Sequence, residues 1–211
     1  MKKKLFLVLA LIFFTATMLN AKKVTTCYSA NHPMPKVAKT ITSIEAYHML
    51  VTQPNTYLID VRTRAEYQLI GHACYKKNGM MEMAYNIPIK FWTGKVGKKN
   101  KYSKALNKNF LKVMEQKFKK TDNLIIMCRS GDRSVIASDI LTDAGFKNVY
   151  NVIYGFEGKP LSYGRSKLEK KLMKKYSLYY NFKGRLNGWR SYGLCQTYKM
   201  DPEYMYPPDF Q

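Results

Sequence analysis

The stretch L-I-I-M-C-R-S-G-D-R-S, Leu124 to Ser134, decides how this chain is read. Leu124 to Met127 is a short unbroken apolar run, the pattern of a parallel strand buried on both faces. It leads straight into Cys128. A Gly-containing turn follows, flanked by Arg129 and Arg133. From Arg133 to Ala144 the apolar positions Val135, Ile136, Ile140 and Leu141 read as a helix, with Gly145 as its C-cap. Ligands of open α/β sheets bind just beyond the carboxyl ends of strands, which is where this places Cys128. The backbone N–H groups of Arg129 to Arg133 can turn inward as an anion nest, and the helix N-terminus adds partial positive charge. Two arginines add full charges. All of these favour thiolate over thiol at Cys128.

Outward from this turn the chain alternates. Tyr57 to Val61, Ala84 to Ile89 and Val149 to Ile153 read as further strands, with Pro88 marking an edge or a strand end. Thr42 and Glu45 form a capping box before a helix, Thr63 to Tyr67 starts a short second helix, and Leu106, Phe110, Met114 and Phe118 repeat along a third. Strands alternating with helices predict an α/β domain with a parallel sheet covered on both faces. Ala73 to Met83 reads as irregular and the lysine-rich segment from Lys95 to Lys104 as a solvated loop. Beyond Gly158, Ser166 to Tyr176 reads as a strongly basic helix. The remainder is rich in Tyr and Gly and ends in Y-P-P-D-F-Q.

At the other end, Lys2 to Lys4, an apolar run from Leu5 to about Leu19 and the small Ala21 form the three parts of a secretory signal peptide over residues 1–21. A run this short is poorly matched to a ~30 Å hydrocarbon core, so cleavage without a lasting membrane span is expected, with an uncleaved membrane anchor as the alternative. The product would then be periplasmic or secreted. The 211-residue chain carries a formal charge of +22. Such a charge attracts anions, but export argues against nucleic acid as a partner, and the scatter of the lysines reads as a solvated surface. A small anionic substrate would still feel the field.

Four cysteines are present, Cys27, Cys74, Cys128 and Cys195, with no C-x-x-C pair and no Cys/His cluster at zinc spacing. Neither a metal site nor a cofactor is expected. In an oxidising compartment they can pair, and spacing does not choose the partners. Cysteine-dependent phosphatases share the idea of a thiolate in an anion-cradling loop, but place an arginine six positions after the cysteine. Here Ser134 holds that position and the arginine comes one residue earlier, at Arg133. The tighter loop suits a smaller, sulfur-centred group.

Four blocks in order resemble the rhodanese (sulfurtransferase) family: I-D-V-R-T-R-A-E-Y from Ile59, G-H at Gly71-His72, Y-N-I-P-I at Tyr85 to Ile89, and the cysteine block from Leu124. G-F-E-G at Gly155 to Gly158 is similar to the family's closing turn, with N-G-W at Asn187 to Trp189 supplying its tryptophan after an insertion. The likeness spans residues 37–159, leaving 160–211 as a basic, Tyr-rich extension packed on or near the domain. The resemblance implies a five-stranded parallel sheet with helices on both faces and a persulfide on Cys128, cradled by Arg129, Ser130, Gly131, Asp132 and Arg133. The sulfur would come from a small anionic donor such as thiosulfate or polysulfide and pass to a thiol, protein or other acceptor. Asp60 and Arg62 match the family's D-x-R pair beside the loop, in a catalytic or a loop-tying role. Cys74 and Cys195 both lie in segments the family lacks, so a disulfide between them is expected, or else Cys74 resolves an oxidised Cys128. A non-catalytic sulfur carrier that docks a partner protein is the alternative to an enzyme.

Overall fold

The computed structural model describes residues 32–97, 100–160, 162–163, 166–176 and 185–207. Residues 1–21, on which the expected signal peptide falls, and Cys27 lie outside the described residues.

Following the chain, β1 (Lys39–Ile41) enters α1 (Ser43–Thr52), whose capping box is closed by Thr42 and Glu45 as expected. β2 (Thr56–Asp60) leads to α2 (Arg64–Ile70), where Thr63 and Glu66 make a second capping box and Gly71 ends the helix. Next come β3 (His72–Lys77), β4 (Met80–Met83) and the two-residue β5 (Tyr85–Asn86). β6 (Lys90–Gly97) and β7 (Lys101–Leu106) precede α3 (Phe110–Lys117). β8 (Asn123–Met127), α4 (Asp132–Asp143) and β9 (Asn148–Val152) form the segment around Cys128. The extension adds β10 (Lys159–Pro160), α5 (Lys167–Tyr176), β11 (Arg185–Leu186) and β12 (Gln196–Thr197).

β1, β9, β8, β2 and β5 form, in that order, a five-stranded sheet whose pairings are all parallel. Alternation along the strands sorts the core into two layers. Ile59, Leu124, Ile126 and Val149 pack with Phe110, Val113 and Met114 of α3 and with Ala137 and Leu141 of α4. Leu58, Ile125, Met127 and Val152 pack with Ala46 and Leu50 of α1 and with Tyr67 of α2. The fold is therefore an α/β sheet with helices on both faces, as the sequence predicts.

Two expected loops are hairpins instead. In Ala73 to Met83, β3 and β4 pair antiparallel across Asn78-Gly79, both at positive φ (49° and 84°). That is the Asn-Gly geometry of a tight hairpin turn. In the lysine-rich segment, β6 and β7 pair antiparallel, and the hairpin is held by stacking of Trp92 on Tyr102 and by the Thr93 and Ser103 hydroxyls at 2.6 Å. The expected strand Ala84 to Ile89 shortens to β5. Ile87 and Ile89 continue past it through single bonds from their amides to the Asp60 and Val61 carbonyls.

The extension completes the core. Trp189 is fully buried in the layer beneath α1 and α2, and Tyr206 joins the other layer. The Trp189 indole donates to the Cys195 carbonyl at 2.7 Å, and the Tyr204 hydroxyl donates to Glu82 at 2.5 Å. β12 adds antiparallel to β3, and a disulfide ties Cys74 of β3 to Cys195, the residue just before β12, with 5.0 Å between the Cα atoms.

Candidate active site

Cys128 follows directly on β8, a middle strand flanked by β2 and β9, at the carboxyl end of the sheet. The chain must turn within three residues to enter α4. It does so at Gly131, whose φ of +94° is a left-handed value that side-chain-bearing residues avoid. A Cβ there would also overlap the Ile153 carbonyl. The turn brings the Gly131 N–H within 3.2 Å of the Cys128 sulfur, to which it donates. The Ser134 hydroxyl lies 3.5 Å from the same sulfur and 3.0 Å from the Gly131 carbonyl, so its single proton serves one of them at a time. The sulfur is buried, and Cys128 is the free cysteine among the described residues.

A second turn straps the loop from outside. The Phe156 amide donates to the Cys128 carbonyl at 2.7 Å and the Glu157 amide to the Arg129 carbonyl at 2.9 Å. Those carbonyls are thereby occupied on the side of the strap. Gly155 lies so close to the Cys128 carbonyl that a Cβ would overlap it.

The charged residues of the loop are fastened to partners. Arg133 grips Glu66 with two bonds of 2.6 Å. Burial alone would raise the Glu66 carboxyl. The Arg133 guanidinium and the Thr63 hydroxyl and amide overcome it and hold the group at about 2. Burial would lower the Arg133 guanidinium, but Glu66 and the nearby Cys128 push it up instead. Arg129 donates to Glu157 at 3.0 Å. Asp132 accepts from Lys159 at 2.8 Å and from the Ser130 hydroxyl at 2.9 Å. Burial pushes the Asp132 carboxyl up, and these two donors more than reverse it. The expected role of Arg129 to Arg133 lies with their backbone amides, and the Asp132 side chain takes a separate, structural part. A carboxylate repels an anionic donor, and here it ties Ser130 to Lys159.

Asp60 and Arg62 form a fully buried pair at 2.6 Å. Arg62 also donates to the Gly71 carbonyl at 2.8 Å and its guanidinium lies 4.2 Å from the Phe156 ring. Asn86 donates to the carbonyls of both Asp60 and Arg62. The pair thus links the end of β2 to the strap that holds Cys128, and its bonds run within the fold rather than to the sulfur.

Three residues outside the expected set complete the surroundings. His32 is buried against the loop, its Nε2 3.3 Å from the Ser130 carbonyl. Arg185 and Arg190, both from the extension, join Arg129, Glu157 and Ser191 around a cleft of about 420 Å³. Three guanidinium groups face one carboxylate there, so the cleft carries net positive charge. Nothing in the sequence marks His32, which lies 98 residues from its partner. The arginines are visible only as charges in a basic tail.

A parallel α/β sheet carrying a free cysteine in a tight turn beyond a middle strand defines an α/β domain with a buried thiol at the carboxyl end of its sheet. More narrowly, the rhodanese-like domain model matches residues 42–158, and the chain belongs to that family. An uncharacterized protein of Rickettsia rickettsii is 35% identical over 119 residues, covering 56% of this chain and 83% of the relative. Thiosulfate sulfurtransferase 16, chloroplastic, of Arabidopsis thaliana is 33% identical, covering 54% of this chain and 81% of that one. The crystal structure of Rv0390 from M. tuberculosis aligns with a TM-score of 0.50 at 26% identity, over 77% of this chain and 98% of that one. Family membership and the sulfurtransferases among the relatives support a function of the sulfurtransferase type.

Proposed function

We propose that this protein transfers sulfane sulfur from a small anionic donor to a thiophilic acceptor through a persulfide on Cys128. With thiosulfate, the Cys128 thiolate attacks the outer sulfur. A bond forms between the two sulfurs, the donor's S–S bond breaks, and sulfite leaves with the electron pair. A cyanide ion or an acceptor thiolate then attacks the outer sulfur of the persulfide and returns Cys128 to the thiolate. Two covalent half-reactions of this kind give ping-pong kinetics.

The observation that carries the proposal is the Gly131 amide aimed at the Cys128 sulfur at 3.2 Å. A fixed N–H donor favours an anionic sulfur, and it costs no reorganisation when the charge shifts. Arg129, with Arg185 and Arg190 across the cleft, supports binding of the donor's anionic end. Both partners of the Cys74–Cys195 disulfide are consumed by each other, which supports Cys74 as a structural rather than a resolving cysteine. A disulfide of this sort also fits the exported, oxidising location that the N-terminal segment predicts.

Incubation with thiosulfate, followed by intact-mass analysis, tests the first step. Cys128 should gain one sulfur atom, lose it on addition of cyanide, and gain none as Cys128→Ser. Absence of the adduct with thiosulfate and with polysulfide alike would overturn the proposal. Stoichiometric loading without turnover would instead assign the protein as a sulfur carrier.

A further inference from the structure

The peptide between Ser130 and Gly131 has two ends, and both are engaged. Its N–H donates to the Cys128 sulfur at 3.2 Å. Its carbonyl lies 3.3 Å from Nε2 of His32, and Nδ1 of the same ring lies 2.8 Å from the Pro33 carbonyl. A carbonyl oxygen only accepts hydrogen bonds, whereas a neutral imidazole has one N–H and one bare nitrogen. The neutral ring can therefore serve one of the two carbonyls and must turn a lone pair on the other. Only the imidazolium, with a proton on each nitrogen, satisfies both.

We infer that His32 is a positioning residue for the sulfur chemistry: its imidazolium form donates to the Ser130 carbonyl, polarises that peptide, and strengthens the Gly131 N–H bond to the anionic Cys128 sulfur. Its surroundings suit this role. The ring is buried, with the edge-on rings of Tyr154 and Tyr163 at 5.4 and 5.9 Å. It packs so tightly on the loop that a Cβ on Gly131 would meet it at 2.6 Å. The Asp132 carboxylate interacts electrostatically with the ring and is itself bonded to the Lys159 ammonium. His32 lies ahead of the segment that matches the family, so this contact is supplied by the chain's own N-terminal region.

The inference rests on Cys128 as the reactive thiolate, but its test needs no sulfur donor. Iodoacetamide alkylates the thiolate with loss of iodide, and peptide mapping separates Cys128 from Cys27. The rate is followed against pH in the full protein and in His32→Phe, which keeps a ring between the two tyrosines and removes both nitrogens. Hydrogen bonds to charged groups are the strong ones, bonds in series reinforce each other by a modest fraction, and histidine changes charge between about pH 5 and 8. The variant should therefore react about threefold more slowly near pH 6, and the two curves should converge above about pH 8. A deficit of the same size at every pH would make His32 only a packing residue and overturn the inference, as would superimposable curves. His32→Gln, whose amide can serve the Ser130 carbonyl at any pH, should show no such pH-dependent difference in the strength of the donor. Thiolate absorbance measured against each protein's Cys128→Ser counterpart gives the same comparison without requiring the reagent to reach the buried sulfur. Failure of persulfide formation with an intact His32 effect would sink the proposed transfer reaction and leave this inference standing.

Discussion

Replacing Glu66 by Gln removes one charge from the ion pair behind the cysteine loop and retains an N3 side chain that can still cap α2. Glutamine stands in for the protonated acid, so the loss can be worked out from the carboxyl's titration. The carboxyl sits at about 2 in the folded chain against an ordinary 4.5. Each tenfold change in proton affinity is about 1.4 kcal/mol, so ionised Glu66 contributes about 3 kcal/mol near neutral pH. The side chains of Arg133 and Glu66 are 14% and 16% exposed, so solvent screens little of this. Folding lowers this carboxyl's pKa. Its contribution is therefore complete above about 4.5 and is lost as the pH falls through about 2. Urea unfolding of the wild type and Glu66→Gln at a series of pH values measures the difference directly. It should be about 3 kcal/mol at pH 7, shrink below about pH 4.5, and approach zero near pH 2. A difference that stays flat with pH would refute the reasoning, because it would then come from shape or capping and not from the charge. A loss below about 1 kcal/mol at pH 7 would place the pair among weak surface bridges.

Two further outcomes follow from the extension. The Cys74–Cys195 disulfide closes a loop with a sequence separation of 121 residues, so the double serine variant should lose about 5 kcal/mol on a chain-entropy basis. Thermal unfolding with and without reductant checks this: reductant should lower the wild-type midpoint and leave the double variant's unchanged. Changing Arg185 and Arg190 together to Ala should raise KM for thiosulfate about fivefold with kcat retained, and flatten its salt dependence, because ground-state attraction to the anion is what is removed. A fall in kcat at unchanged KM would instead put these arginines in the transition state.

The parts of this molecule that were legible in its sequence are those where one local pattern has one physical outcome. Leu124 to Met127 is apolar throughout because β8 is covered on both faces, and the turn after it needs Gly131 because the chain reverses at positive φ. Thr42 with Glu45 declares a helix start in the same way. Strand β1 is only three residues long and is stabilised by its neighbour β9, so no pattern of its own announces it. The β6–β7 hairpin exposes most of its side chains, lacks the alternation that a buried face imposes, and so resembled a solvated lysine loop. The β3–β4 hairpin did carry a signal, the Asn78-Gly79 pair, whose turn geometry is stronger information than the irregular composition around it. Charges behave differently. Arg129, Arg133 and Asp132 are plain in the sequence as a charged loop, but the oppositely charged partner of each lies 27 or more residues away, and that partner decides what the charge does. With Glu66 on Arg133 and Glu157 on Arg129, the loop's own arginines are already paired, and the cleft's surplus positive charge depends on Arg185 and Arg190. In the proposed reaction, recognition of an anionic donor would therefore rest partly on the extension, while the turn that brings an amide to the sulfur is built from the cysteine loop itself.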